Sequence, residues 1–354
     1  MHHPEPTWPD TTRRGSDFSE LYRRVAAAGL LKRRPVYYTA LITGTLAAAA
    51  LGTAVFLRLG SSWWQLAVAA LMGIVFGQIG LVAHEIAHRA VFPTRRTSDL
   101  AGILLGNLGL GMSYGWWTSD HTHHHANPNR ERHDPAADAL FFARTPRQAA
   151  ATRGLTRFLA RHQRALFFPV LTLQGIGLGI IGFLTIVRRR VKHPVVEGAL
   201  LALHYGLYGA ALLLVLTPVQ ALCFFLLHEA VLGVYLGCLF APNHKGMPMI
   251  EEDAPRLDFL RRQVLPSRNI PGGPALTWLF GGLNYQIEHH LFPYLPRPAL
   301  RPASVIVREY CRELGIPYHG AGLRASFAEV LRDLRSISDT LGEAGSTPTA
   351  GTRK

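Results

Sequence analysis

Residues 63–88 read WWQLAVAALMGIVFGQIGLVAHEIAH. The run from Trp63 to Ala83 is predominantly apolar and long enough to cross a bilayer, which takes about 20 helical residues. Its paired tryptophans suit a membrane interface. The run ends directly in His84-Glu-Ile-Ala-His88, and two histidines four residues apart lie on one face of a helix. This stretch therefore predicts a membrane-spanning helix with a candidate metal-binding pair at one end.

Apolar runs of similar length recur along the chain. Two of them are separated by Thr217-Pro218 and predict a helical hairpin. We predict an all-α integral membrane protein whose four transmembrane helices occupy 36–59, 63–83, 196–216 and 219–240. The glycine-rich runs 101–117 and 166–187 are predicted to be re-entrant or interfacial, because glycine weakens a straight helix.

The number of spans follows from where the histidines must meet. If 101–117 crossed the membrane, the histidines before and after it would lie on opposite sides. The basic run from Arg188 to Lys192 is typical of a cytoplasmic segment. With four spans, both termini and every histidine cluster face the cytoplasm. We therefore predict a multi-pass protein of the cell inner membrane, with a cytoplasmic helical cap that holds the metal site.

The polar ends of the chain complete the predicted organisation. Residues 1–35 are predicted to form a cytoplasmic segment that is loose or amphipathic. The main domain covers 36–318, and 319–354 form a second cytoplasmic segment. The stretch from Leu341 onward is rich in Gly, Ser, Thr and Pro and is predicted to be disordered.

The composition narrows the class of protein. Hydrophobic residues make up 48% of the 354 residues and charged residues only 17%, whereas soluble domains carry about 25% charge. The net charge of +14 would suit nucleic acid, but the arginines flank apolar runs. We therefore expect contacts with anionic lipid headgroups and with an acidic redox partner, and no nucleic acid. Three cysteines cannot supply the four thiolates of an ordinary iron–sulfur cluster.

Histidine clusters carry most of the functional signal. The histidines fall into three sequence motifs, called boxes. The first box is His84-Glu-Ile-Ala-His88, the second is His121-Thr-His-His124-His125, and the third is Gln286-Ile-Glu-His289-His290. His244 follows the last apolar run and is placed at the depth of His88. Imidazole is the commonest metal-binding side chain and suits iron, copper and zinc. The predicted ligands of a two-metal centre are His84, His88, His121, His124, His125, His244, His289 and His290, with Gln286 as a possible further ligand.

Zinc chemistry is the first alternative. The segment from His84 to His88 matches the HExxH pattern, in which two histidines bind zinc and the glutamate acts as a base. Catalytic zinc needs only three protein ligands, so this interpretation leaves most of the other histidines without a role. It is the weaker hypothesis.

Other polar residues are candidates for supporting roles. Those near the boxes could orient ligand imidazoles through hydrogen bonds; they are Asp120, Asn127, Asn129, Asp134 and Glu288. His123 is out of phase with its neighbours, and we expect it to face solvent or support a ligand. His204 and His228 lie within predicted spans, where an ionisable group is a functional candidate by default. Trp116 and Trp117 could line a ligand tunnel or anchor the membrane interface.

Taken together, these motifs resemble the membrane fatty acid desaturase family. The resemblance runs from about residue 38 to 318. Its most specific stretch is GGLNYQIEHHLFP at 281–293, supported by HTHHHANPN at 121–129 and NHKGM at 243–247. It implies a di-iron enzyme that uses dioxygen and two electrons to place a double bond in an acyl chain. It also implies the same eight histidine ligands. Gln286 stands where many members have histidine, and this glutamine resembles desaturases that act toward the carboxyl end of the chain.

The resemblance also bears on electron supply. Many relatives with the glutamine-type box carry a fused cytochrome b domain with a His-Pro-Gly-Gly motif, which is absent from this sequence. We therefore expect a separate electron donor, such as ferredoxin with an NADPH-linked reductase. Acyl-CoA and acyl-lipid substrates both remain open. The alternatives are a hydroxylase or related oxygenase on the same di-iron scaffold, and a histidine-rich metal transporter.

Overall fold

The computed structural model describes residues 16–136, 142–252 and 254–343, and this part of the chain is built from helices joined by short loops. In chain order the helices are α1 Asp17–Ala27, α2 Pro35–Leu59, α3 Gln65–Ala87, α4 Arg95–Ile103, a π-helical segment Leu104–Leu110, α5 Tyr114–Ala126, α6 Pro146–Ala151, α7 Gly154–Leu171, α8 Gln174–Val187, α9 Pro194–Val215, α10 Pro218–His244, α11 Phe259–Val264, α12 Pro274–Leu279, α13 Gln286–Leu291, α14 Arg297–Glu313 and α15 Leu323–Glu343.

Among the described residues, four helices are long and apolar enough to cross a membrane: α2, α3, α9 and α10. This confirms the predicted all-α fold with four transmembrane helices. Two boundaries differ from the prediction by more than two residues, since α3 continues to Ala87 and α10 to His244. The helices do not stop where the apolar run stops, because their last turns are buried and their polar side chains find partners there. His84 and His244 therefore sit on regular helix, and His88 directly follows the last residue of α3.

Helices α3 and α10 form the centre of the bundle and have the most extensive contact in the fold. Their backbones approach closely at Gly73, where any side chain would collide with the carbonyl oxygen of His228. Helices α2 and α9 lie outside and expose apolar side chains such as Leu51 and Leu214. This apolar exterior suits lipid, in which backbone polar groups must be satisfied within the helix.

The predicted re-entrant run 101–117 is divided among three helical pieces. It includes the end of α4, the π-helical segment and the start of α5, with Gly111 in a left-handed conformation between the last two. Glu197, at the start of α9, fixes this connection. One carboxylate oxygen of Glu197 accepts hydrogen bonds from Ser113 Oγ at 2.6 Å, Gly115 N at 3.1 Å and Asn107 Nδ2 at 3.2 Å. A spanning helix therefore holds the first turn of α5, which carries the second histidine box.

Replacing Glu197 by leucine is expected to lower the free energy of unfolding by about 3 kcal/mol, because buried donors that lose their acceptor cost about 1–3 kcal/mol each. Glu197→Gln keeps a carbonyl oxygen as an acceptor, so its free energy of unfolding should fall by less. Denaturant unfolding in detergent micelles measures both variants. A leucine variant as stable as the wild type would show that this network does not hold α5.

Helices α7 and α8 are joined at a break and bend by 84° relative to each other. They contain the predicted re-entrant or interfacial run 166–187. Gly233 of α10 allows the close approach, because a side chain there would collide with the carbonyl oxygen of Leu171. The re-entrant or interfacial placement of 166–187 stays a prediction.

The remaining helices cover one end of the bundle. Amphipathic α1 buries Leu21 and Val25 in a cluster with residues of α13 and α14, so the N-terminal segment is ordered from residue 17. The prediction of disorder from Leu341 onward is wrong at its first residues. Leu341 belongs to α15 and is buried against Ala149 and Ala160, because α15 packs on α6 and α7. Residues 1–15 and 344–354 lie outside the described part of the chain.

Candidate metal centre

Four elements deliver the predicted ligands to one place. The C-terminal end of α3 provides His84 and His88, α5 provides His121, His124 and His125, the C-terminal end of α10 provides His244, and α13 provides His289 and His290. Because α3 and α10 pack side by side with their C-terminal ends at the same level, residues more than 150 positions apart in the chain meet.

The eight histidines form two groups. Ligand nitrogens within each group lie within 4.8 Å of one another. We call them the five-histidine cluster (His84, His88, His121, His125 and His289) and the three-histidine cluster (His124, His244 and His290). Neighbouring residues are divided between the two: His124 and His125 point to different clusters, as do His289 and His290, because successive helical side chains are rotated by about 100°.

The five-histidine cluster converges on His121. Its Nε2 lies 3.0 Å from Nε2 of His84, 2.9 Å from Nε2 of His88 and 3.0 Å from Nε2 of His125. Nε2 of His289 is buried and has no hydrogen-bond partner. A neutral imidazole carries one proton and one lone pair, so these contacts cannot all be hydrogen bonds. A cation shared by the lone pairs would satisfy this cluster.

In the three-histidine cluster, every Nδ1 is engaged on the outside. His124 Nδ1 lies 2.9 Å from Asp134 Oδ1, His244 Nδ1 2.9 Å from the carbonyl oxygen of Pro266, and His290 Nδ1 3.0 Å from Gln263 Oε1. Each partner atom is an oxygen that accepts a hydrogen bond, so each Nδ1 carries the proton and donates that bond. The lone pair of each ring is then on Nε2, which is free to face the cluster. Such outer partners fix the tautomer and orientation of metal-binding histidines. The residues present therefore fit a pair of metal ions.

The rings are held in the form that binds metal. Burial lowers the pKa of four of these rings well below the usual histidine value, and neighbouring imidazoles lower it further. The four are His121, His125, His289 and His290. Burial likewise lowers the pKa of His88 to about 3. These imidazoles are therefore neutral at physiological pH, and only the unprotonated nitrogen can be a ligand.

The supporting residues predicted from sequence have mixed outcomes. Asp134 binds His124, and the backbone N–H of Asn129 donates to the other Asp134 oxygen at 2.8 Å. Glu288 instead accepts from Asn269 Nδ2 at 2.7 Å and Tyr318 Oη at 2.9 Å, and burial raises its pKa to about 7. Glu288 therefore joins the third box to Asn269 and Tyr318, and it does not orient an imidazole.

Within the described part of the chain, the other candidates make no hydrogen bond to a clustered histidine ring. Asp120 pairs with Trp116 one turn earlier, and Asn127 ends α5. His123 is exposed and belongs to neither cluster. Trp117 stacks on His121 with ring centroids 4.4 Å apart. It therefore contacts a predicted ligand, whether it lines a tunnel or anchors the interface.

The two intramembrane histidines belong to neither cluster. His204 Nδ1 lies 2.8 Å from the carbonyl oxygen of Leu108, and His228 Nδ1 lies 3.2 Å from Glu229 Oε1. The rings of both histidines lie near the ring of Phe76, with centroids 6.2 Å away for His204 and 4.8 Å away for His228. Each Nδ1 has a partner nearby, whereas His228 Nε2 is buried with none among the described residues. The eight clustered histidines lie at or beyond the ends of the spans, and this weakens the transporter hypothesis, which needs ionisable groups along a pathway.

Glu85, the acid within His84-Glu-Ile-Ala-His88, makes a buried ion pair that sequence reasoning missed. Both of its oxygens bind the guanidinium of Arg297 on α14, and Oε1 also accepts from Tyr38 Oη of α2 at 2.9 Å. Arg297 is only 2% exposed. A carboxylate held in this way is not available as a general base, so the zinc-protease hypothesis fails on geometry.

Gln263 is another functional residue without a local signal in the sequence. It lies within the short arginine-rich helix α11, yet its Oε1 accepts from His290, and its Nε2 donates to the carbonyl oxygen of His125 at 3.0 Å. It therefore links the third box to the second. Only tertiary packing reveals this role.

Comparisons with known proteins agree with this arrangement. Residues 61–322 match the family model described as "Fatty acid desaturase". An acyl-lipid (9-3)-desaturase of Physcomitrium patens is 28% identical over 94% of this chain and 64% of its own length. A Delta(5) fatty acid desaturase of Caenorhabditis elegans is 30% identical over 91% of the chain and 74% of its own.

A Delta(8)-fatty-acid desaturase of Arabidopsis thaliana is 29% identical over 91% of the chain and 76% of its own length. The chain thus spans about two thirds to three quarters of these relatives. The family match covers most of the chain and includes all eight clustered histidines and both inner helices. This chain belongs to the fatty acid desaturase family of oxidoreductases.

Proposed function

We propose that this protein desaturates a fatty acyl chain with dioxygen at a non-haem di-iron centre. The observation that carries the proposal is the pair of adjacent clusters formed by eight imidazoles. Two separate groups of nitrogens suit two ions. Imidazole ligands suit iron, and membership of the family supplies the reaction class.

The eight histidines would hold the irons, and bound iron would supply the oxidising power needed to remove hydrogen from an unactivated C–H bond. The residues of the chain do the rest. Asp134, Gln263 and the carbonyl of Pro266 hold three rings in their tautomers. Five of the eight histidines are buried, which limits the access of water to the clusters. The balanced reaction consumes one dioxygen, two electrons and two protons. It removes two hydrogens from the substrate and forms two water molecules.

The substrate is proposed to be acyl-CoA or an acyl-lipid. Relatives named for Delta(5), Delta(8) and acyl-lipid desaturation support a double bond toward the carboxyl end, as does the glutamine at position 286. The electrons would come from a separate acidic carrier, such as ferredoxin with an NADPH-linked reductase, attracted by the net charge of +14. We place the protein in the cell inner membrane with the clusters on the cytoplasmic side, in line with the basic run at 188–192.

Fatty acid profiling of a host that expresses the chain with a suitable electron donor tests this function. The wild type is expected to yield a new unsaturated acyl chain, and His289→Ala none, because the five-histidine cluster loses a nitrogen. His123→Ala is the matched control, since this histidine is exposed and outside both clusters. Identical profiles in the wild-type and His289→Ala strains, with both proteins present, would refute the proposal.

The same experiment separates desaturation from hydroxylation. A desaturase product has lost two hydrogens, whereas a hydroxylase product has gained one oxygen. Mass spectrometry of the acyl chains distinguishes these outcomes directly.

A further inference from the structure

We propose that Gln286 is not a metal ligand, and that Asn243 holds its amide as a hydrogen-bond donor facing an open position of the three-histidine cluster. The inference rests on the proposed metal centre and goes beyond it, because it assigns where a small exogenous ligand with a lone pair would bind.

Asn243 decides which way the Gln286 amide points. Asn243 Nδ2 lies 3.0 Å from the carbonyl oxygen of Leu239 and 3.0 Å from Gln286 Oε1. Rotating the Asn243 amide would set its oxygen against the Leu239 carbonyl oxygen, which is repulsive. Asn243 therefore donates to both, and Gln286 must present its oxygen to Asn243. Asn243 is fully buried and Gln286 nearly so, so water does not compete for these bonds.

The nitrogen of Gln286 consequently faces the cluster. Gln286 Nε2 lies 2.9 Å from His244 Nε2. Because His244 Nδ1 donates to the carbonyl oxygen of Pro266, His244 Nε2 carries the lone pair that would bind the ion. With that lone pair engaged, the Gln286 N–H group beside it is left without an acceptor. An amide nitrogen has donor protons and no available lone pair, so in this orientation Gln286 cannot bind a metal ion.

The two clusters then differ in how many protein ligands they offer. One has five histidines and the other three. A metal ion with three protein ligands keeps a position for water or a small ligand. The three-histidine cluster offers fewer protein ligands than the five-histidine cluster, and it is the cluster toward which Gln286 points its N–H group. An exogenous ligand bound there would accept this hydrogen bond.

Iron content and azide binding test the assignment without an activity assay. Azide is the probe because it is a small anion that binds ferric iron and accepts hydrogen bonds. After anaerobic iron loading and oxidation, Gln286→Leu and Gln286→Glu are both expected to retain about two irons per chain. Their azide dissociation constants are expected to rise about ten- to a hundredfold, since a hydrogen bond to a charged group is worth about that factor.

The control is Gln78→Leu. Gln78 is an equally buried glutamine whose amide donates to Tyr235 and Leu279, away from both clusters, and its loss should not change azide affinity. One iron in Gln286→Leu with two in Gln286→Glu would show that Gln286 is a ligand. Unchanged azide affinity in Gln286→Leu, or no azide binding by the wild type, would also overturn the inference. A wild type that takes up no metal would instead overturn the proposed centre and this inference with it.

Discussion

Replacing His244 by alanine is expected to leave about one metal ion per chain and to lower activity at least a hundredfold. The three-histidine cluster would keep only His124 and His290, too few to hold an ion. Loss of a supporting residue beyond the ligands already costs about 10–100-fold in metal affinity or activity, so loss of a ligand should cost more. Metal analysis of purified protein and a turnover assay measure both effects.

The matched variant is His88→Ala in the other cluster. Four histidines would remain there, so this variant is expected to hold close to two metal ions although its activity falls. Different metal contents for the two variants would reflect the five-to-three division of ligands. Equal loss of metal from both variants would contradict that division.

Replacing Arg297 by leucine is expected to lower the free energy of unfolding by about 3–5 kcal/mol, because it leaves the buried Glu85 carboxylate unpaired. Arg297 also donates its backbone N–H to Tyr38 Oη at 3.2 Å, and Tyr38 in turn donates to Glu85. The ion pair therefore joins α2, α3 and α14 beside the first histidine box. Denaturant unfolding in detergent, monitored by tryptophan fluorescence, measures the loss.

Two further variants sharpen this prediction. Arg301→Leu, one turn later on α14 and exposed, should change stability by no more than about 0.5 kcal/mol. The double variant Glu85→Gln with Arg297→Leu should recover part of the loss, since no unpaired charge remains. If Arg297→Leu were as stable as Arg301→Leu, the ion pair would have no structural role.

The sequence predicted the membrane helices well because their signal is local. A helix in lipid must satisfy its own backbone and expose apolar side chains, so length and hydropathy alone identify it. The errors lie at helix ends. Helices α3 and α10 extend past their apolar runs to Ala87 and His244, where their last turns are buried. Leu341 is helical because α15 packs on α6 and α7.

The sequence also predicted which histidines would gather, since HxxxH and HxxHH spacings place rings on adjoining helix faces. It did not predict their partners. Gln263, Arg297 and the carbonyl of Pro266 come from segments with no motif of their own. Glu288 was expected beside an imidazole and instead binds Asn269 and Tyr318.

The amino-acid sequence by itself thus determined a four-span helical membrane protein with eight candidate imidazole ligands, because periodicity and hydropathy act over a few helical turns. Only the tertiary structure decided that five histidines face one cluster and three the other, and that Gln286 offers its nitrogen. Those outcomes depend on how α3, α5, α10 and α13 are rotated against one another. That rotation is set by contacts between residues far apart in the chain, such as Glu197 with Ser113 and Glu85 with Arg297.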